Sequence, residues 1–212
     1  MKSEQLLHYD VFVFDVDDTL LYTFENGYHK INAAAAQLGH PQISFEQYRA
    51  CYGTCSFAEC IASWFPAADL NQMQQAYADQ SARFPYRPVC DFSELQQLLS
   101  RLGKQVAVLT NGSNDQRLRH KLTACGTNFS HLCGIWGAED IPQPKPSAMA
   151  VQPLMLRFPG KRILYIGDAE TDRQMAENAG IGFLQVSTGR DHPLSNTHAI
   201  SSLVQLIELL RR

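Results

Sequence analysis

The sequence has little that is extreme, and each shortage closes a route to function. Its apolar runs are short, far below the ~20 residues that a membrane-spanning helix needs, so no membrane span is expected. Positive charge is not in excess. Against 18 Lys and Arg stand 21 Asp and Glu, a formal net charge of −3, which argues against nucleic acid or an anionic membrane as principal partner. The one basic cluster, Arg117-Leu118-Arg119-His120-Lys121, falls inside a helical pattern and reads as a solvated helix face. None of the six cysteines (51, 55, 60, 90, 125, 133) belongs to a CxxC pair, so a zinc site is a poor reading. Disulfide staples are not expected either, because 212 residues with 45% hydrophobic content suffice for a core and no signal-peptide pattern is present. Reduced thiols in a cytoplasmic protein are the expectation. No internal repeat or low-complexity tract occurs, and the alanines at 33–36 are simply strong helix formers.

What is present is an alternation. Apolar runs bounded by turn residues occur at Val11–Phe14, Val106–Leu109, Leu132–Trp136, Ile163–Ile166 and Gly182–Val186. Helical patterns lie between the last four, which predicts βαβ units and a doubly wound, Rossmann-like parallel sheet. Helix starts and stops are marked in the sequence: Asp91 to Gly103, Ser113-Asn114 to Gly126, Pro146-Ser147 to about Phe158, Asp168 to Gly180, and Ser201-Ser202 to Leu210.

Residues 21–88 differ. They hold no strand-like run but four helical segments: Glu25–Leu38, one opened by Ser44-Phe45-Glu46-Gln47, one by Ser56-Phe57-Ala58-Glu59, and one from Asp69 to about Phe84. Such a block is too long for a structureless loop. It predicts an all-helical domain, 21–88, inserted into an α/β core made of 1–20 and 89–212.

In open α/β sheets ligands bind beyond the carboxyl ends of the strands. The first strand ends there in Asp15-Val16-Asp17-Asp18-Thr19, the second in Thr110-Asn111-Gly112, and the fourth in Gly167-Asp168, with Asp172 four residues on. The loop after the third contains Pro144-Lys145-Pro146. No His, Ser or Cys competes at these ends for the role of nucleophile. Each residue has an ordinary alternative: Asp168 as a helix cap, Asp172 as a solvated carboxylate, Thr110 as a turn residue, Lys145 as a loop lysine. Asp15 has the weakest one, because it ends an almost continuous apolar strand where an unpaired charge is costly. Four carboxylates on one rim repel one another and any phosphate, and a magnesium ion relieves that repulsion.

The constellation resembles the haloacid dehalogenase-like hydrolase superfamily. The four short motifs of that family occur in order as Asp15-Val16-Asp17-Asp18-Thr19, Thr110-Asn111, Lys145-Pro146 and Gly167-Asp168-Ala169-Glu170-Thr171-Asp172. The insertion is similar to the helical cap of the phosphoglycolate phosphatase-like branch. The resemblance implies that Asp15 attacks phosphorus to form an aspartyl-phosphate and that Asp17 shuttles the proton. It implies that Thr110 and the Asn111 N–H bind the phosphoryl group and that Lys145 stabilises Asp15 and the developing charge. Mg²⁺ would be held by Asp15, the Asp17 carbonyl, Asp168 and Asp172, the last directly or through water. Position 18 departs from the pattern, since Gly is commonest there; Asp tolerates positive φ better than most residues.

The implied substrate is a small phosphorylated metabolite, with phosphoglycolate or a nucleoside monophosphate conceivable. The cap would supply specificity, with His29, Lys30, Arg49, Tyr52 and the Gly53-Thr54-Cys55-Ser56 turn as candidate contacts. A phosphomutase of the same fold would share every core residue. A dehalogenase would lack the acid two residues after the nucleophile, and a non-catalytic binding protein has no reason to keep a self-repelling rim. Oligomeric state is not readable from the chain.

Overall fold

The computed structural model describes residues 3–52, 57–188, 194 and 197–211. The elements in chain order begin with α1 (Ser3–Leu7), β1 (Val11–Phe14), β2 (Leu21–Tyr22), α2 (Phe24–Gln37), α3 (Phe45–Cys51), α4 (Phe57–Trp64) and α5 (Leu70–Asp79). There follow β3 (Arg87–Pro88), α6 (Phe92–Arg101), β4 (Gln105–Leu109), α7 (Gln116–Ala124), β5 (Leu132–Trp136), α8 (Gln152–Arg157), β6 (Ile163–Gly167), α9 (Glu170–Ala179), β7 (Gly182–Val186), β8 (Ala199–Ile200) and α10 (Leu203–Leu210).

Six parallel strands form one sheet in the order β5-β4-β1-β6-β7-β8. Counted along the chain this is the doubly wound order, in which strand one lies centrally and the direction of winding reverses beside it. The central strands are apolar throughout because both faces are covered. On one face Val11 and Val13 pack with Ala107, Leu109, Leu154 and Met175. On the other, Phe14 meets Phe92 of α6 edge-on, with ring centroids 5.0 Å apart.

The chain divides into two compact units, Met1–Tyr22 with Arg87–Arg212, and Thr23–Tyr86. In the second, α2 to α5 surround Ile31, Ala34, Ala35, Tyr48, Ile61 and Met73. Its α3 begins with a reciprocal capping box: Gln47 N donates to Ser44 Oγ at 3.2 Å, and Ser44 N to Gln47 Oε1 at 2.8 Å. The start expected at Ser56 lies outside the described residues.

Several expectations are corrected. The segment from Pro146 to Phe158 is not one helix but a 3₁₀ stretch, Ala148–Val151, followed by α8. Pro153 in the first turn of α8 has no N–H with which to continue the preceding turn. Likewise α5 stops at Asp79 and a 3₁₀ turn, Gln80–Ala82, follows. α7 starts at Asp115 rather than Ser113-Asn114 because Asn114 is engaged elsewhere, its N–H donating to Glu139 and its side-chain amide to Asp140. Two pairings of only two residues per strand escaped the sequence reading. β8 joins the sheet edge, and β2 pairs antiparallel with β3, where the Arg87 guanidinium lies 4.6 Å from the Tyr22 ring centroid. Among the described residues no helix is long and apolar enough to cross a membrane, and no cysteine is disulfide-bonded.

Candidate active site

β1, β4 and β6 are neighbours in register, so their carboxyl ends bring Asp15, Thr110 and Asp168 to one edge. Backbone bonds hold the ends in place: Asp15 N donates to Ile166 O at 2.9 Å and Thr110 N to Trp136 O at 3.0 Å. Each strand ends just where its side chain leaves the apolar layer.

Lys145 is the hub. Its Nζ donates to Asp15 Oδ1 at 2.8 Å, to Asp172 Oδ1 at 2.6 Å and to the Tyr165 hydroxyl at 3.0 Å. Tyr165 in turn donates to Leu109 O at 2.7 Å. The Asn111 side chain grips the lysine's backbone from both sides, accepting from Lys145 N at 2.8 Å and donating to Lys145 O at 3.0 Å. Lys145, Asp15 and Asp172 are all buried. Asp172 reaches this position because Gly167 has no Cβ; a methyl there would lie 2.3 Å from Asp172 Oδ2. That oxygen also accepts the Ala169 N–H at 3.1 Å, which caps α9.

Among the described residues the charges of this cluster do not balance. One ammonium faces two buried carboxylates, and Asp168 adds a third. Burial, with the Asp172 and Asp17 charges adding to it and Lys145 opposing, pushes the Asp15 carboxyl up to about 7. Burial alone would lower Lys145, but the Asp15 and Asp172 charges outweigh it and hold the ammonium well above its usual range. Oxygens of Asp15, Asp168 and Asp172 lie within 4.8 Å of one another. That is a set of hard oxygen donors, the kind that takes Mg²⁺.

A haloacid dehalogenase-like hydrolase family model matches residues 12–186. This chain belongs to that family. A phosphoglycolate phosphatase of Rhodobacter capsulatus is 26% identical over 216 residues, covering 92% of this chain and 95% of the relative. The fold of the hydrolase is that of CbbY from Rhodobacter sphaeroides, solved in complex with phosphate, at TM-score 0.76, 20% identity and coverage of 96% and 100%. The Bacillus subtilis HAD-hydrolase YfnB, solved bound to magnesium, superposes at TM-score 0.74 with 20% identity, covering 97% of this chain and all of that one (100%).

Asp172 is fully buried and ion-paired, not solvated, and Lys145 is not a loop lysine in water. Thr110 does make a local turn, its Oγ1 accepting Gly112 N at 3.1 Å, while remaining buried at the strand end. Asp18 has φ of +54°, the left-handed conformation that a Gly would adopt most easily, and its carbonyl accepts from Thr188 Oγ1. Thr19 is buried beneath the acids and donates to Asp168 Oδ1 at 3.4 Å.

Three residues carry weight that sequence reasoning missed. Tyr165 looked like one more apolar strand residue, yet its hydroxyl orients Lys145. Asn111 was noticed for its backbone, not for its side chain. Lys121 was assigned to a solvated face, which holds for Arg117 but not for Lys121. Its Nζ bonds Asp17 Oδ1 at 2.6 Å and Oδ2 at 2.9 Å. No local pattern signals that pairing, since 104 residues separate the partners. In the helical unit Lys30 is buried, donates to Ser81 Oγ at 2.9 Å and sits over the Tyr77 ring. His29 and Arg49 are exposed, and the Tyr52 hydroxyl lies 3.3 Å from Thr23 Oγ1. The Gly53–Ser56 turn lies outside the described residues.

Proposed function

We propose that the protein is a Mg²⁺-dependent phosphatase that hydrolyses a small phosphomonoester through an aspartyl-phosphate on Asp15. The single observation that supports this reading is the buried cluster of Asp15, Asp168 and Asp172 beside Lys145. Among the described residues two carboxylates share one ammonium and a third lies nearby, a set of hard oxygen donors suited to a divalent cation. Asp15, Asp168, the Asp17 carbonyl and Asp172 would hold the ion. Both Asp172 oxygens already accept hydrogen bonds, from Lys145 and from Ala169 N, which favours contact through water for that residue. Bound Mg²⁺ would neutralise the carboxylates and draw phosphate oxygens toward the nucleophile.

In the first step an Asp15 carboxylate oxygen attacks phosphorus. The ester P–O bond breaks, its electron pair stays on the leaving oxygen, and the Asp17 proton goes to that oxygen. In the second, water attacks phosphorus, Asp17 takes the water proton, and the bond to Asp15 breaks to release inorganic phosphate and the carboxylate. Thr110 and the Asn111 N–H would hold the phosphoryl oxygens, and the Lys145 charge opposes protonation of Asp15. The relatives named phosphoglycolate phosphatase and the phosphate-bound CbbY support a small phosphorylated substrate. The magnesium-bound YfnB supports the metal.

The test is hydrolysis of p-nitrophenyl phosphate. Turnover should require Mg²⁺, stop with EDTA and vanish in Asp15→Asn. Activity that persists in Asp15→Asn excludes the covalent route.

A further inference from the structure

Resting on that reading, we propose that Lys121 is a positioning residue for Asp17, the proton shuttle of the site. Lys121 lies in the last turn of α7, the helix that opens directly behind the Thr110 loop. Asp115 fixes the start of that helix, its Oδ1 accepting Arg117 N at 2.8 Å and Leu118 N at 3.2 Å, and buried Leu118 and Leu122 fix its rotation. The ammonium is thereby held at one place, and it donates to both Asp17 oxygens, at 2.6 and 2.9 Å. Both side chains are partly shielded, 22% and 32% exposed. Ion pairs at such exposure add little to stability, so stability does not account for an arrangement in which one cation grips both oxygens of this carboxylate.

The ammonium favours the carboxylate form of the shuttle without blocking the protonated one. It donates to both oxygens of the carboxylate, and when one oxygen carries the proton it keeps hold of the other. The proton to be transferred is then presented from a fixed point, on a site where a displacement of about 1 Å can cost about 10²-fold in rate. Asp15 has no such need of Lys121, since Lys145 already holds it.

The inference separates the two chemical requirements of the first step. Bond-making by Asp15 does not depend on Lys121, whereas protonation of the leaving oxygen does. The test compares phenyl phosphate with p-nitrophenyl phosphate, two esters that differ mainly in how well the leaving oxygen bears negative charge unaided. In Lys121→Met, kcat/KM for phenyl phosphate should fall by about tenfold or more, as loss of part of a general acid's 10²–10⁴-fold contribution implies. For p-nitrophenyl phosphate it should stay within about threefold of the wild type on the same reasoning. Lys121→Arg, which restores a cation, should recover part of the phenyl phosphate loss. Lys121→Met should add little to Asp17→Asn, because the two act as a unit. If Lys121→Met proves poorly folded by circular dichroism, Lys121→Gln carries the same comparison with a polar side chain.

Equal losses on both esters, or additive effects of the two substitutions, overturn the positioning role while leaving the phosphatase reading intact. A wild-type protein inactive on both esters with Mg²⁺ present overturns the phosphatase reading and this inference with it.

Discussion

Lys145→Met is the sharpest probe of the cluster, because Met retains most of the stem and removes only the ammonium. The Lys145 side chain is 5% exposed, and its partners Asp15 and Asp172 are 8% and 0% exposed, so water does not replace the lost charge. Removing one member of a buried pair costs about 3–5 kcal/mol. For a chain of this length each kcal/mol moves Tm by about 2–4 °C, which puts the fall at roughly 6–20 °C. The pH dependence carries a sign. Asp15 already lies above the ordinary carboxylate value of 3.8, at about 7, and without the opposing Lys145 charge it rises further. A carboxyl raised in the folded state makes that state bind protons more tightly than the unfolded chain does. Stability is therefore favoured at low pH and is lost as pH rises from the unfolded value through the folded one. The deficit of Lys145→Met against the wild type should be small at pH 5 and largest at pH 8, measured by thermal melting of both proteins with EDTA present. A Tm at pH 8 equal to that of the wild type, or a deficit independent of pH, would refute the claim that Lys145 holds two buried carboxylates together.

Tyr165→Phe keeps the ring and deletes one link of the network, leaving Leu109 O and the Lys145 ammonium each short of a partner. Urea unfolding should show a loss of about 1–3 kcal/mol, and p-nitrophenyl phosphate turnover should fall with it. Gly167→Ala puts a methyl 2.3 Å from Asp172 Oδ2, so Asp172 must leave Lys145; the variant should fold yet bind Mg²⁺ more weakly by calorimetry, and unchanged binding would show that Asp172 has room to stay. Gly27→Ala is the matching test in the helical unit. Its methyl would meet Tyr48 Oη at 2.2 Å and should lower Tm by several degrees, consistent with overpacking costs of about 1–3 kcal/mol.

The sequence by itself determined the alternation of strands and helices and the positions where strands hand over to polar residues. Both are local properties. An apolar run such as Val11–Phe14 must be covered on both faces, and a carboxylate at its end is too costly to leave unanswered. The left-handed backbone at Asp18 was suggested only by the family resemblance, in which Gly is commonest at that position. Short elements were not foreseeable, because the two-residue strands at Leu21–Tyr22, Arg87–Pro88 and Ala199–Ile200 hold no periodicity to read. Nor was the break at Pro153, where a helix-compatible pattern conceals a missing donor.

Only the tertiary structure decided how the charges are shared. Lys145 takes Asp15 and Asp172 across separations of 130 and 27 residues, and Lys121 takes Asp17 across 104. Burial follows from the same packing: one lysine of the basic cluster is drawn into the site while Arg117 stays in water. Charge and hydropathy are written along the chain, but the energy of a charge depends on what surrounds it in space, and that is set only when the strands lie side by side.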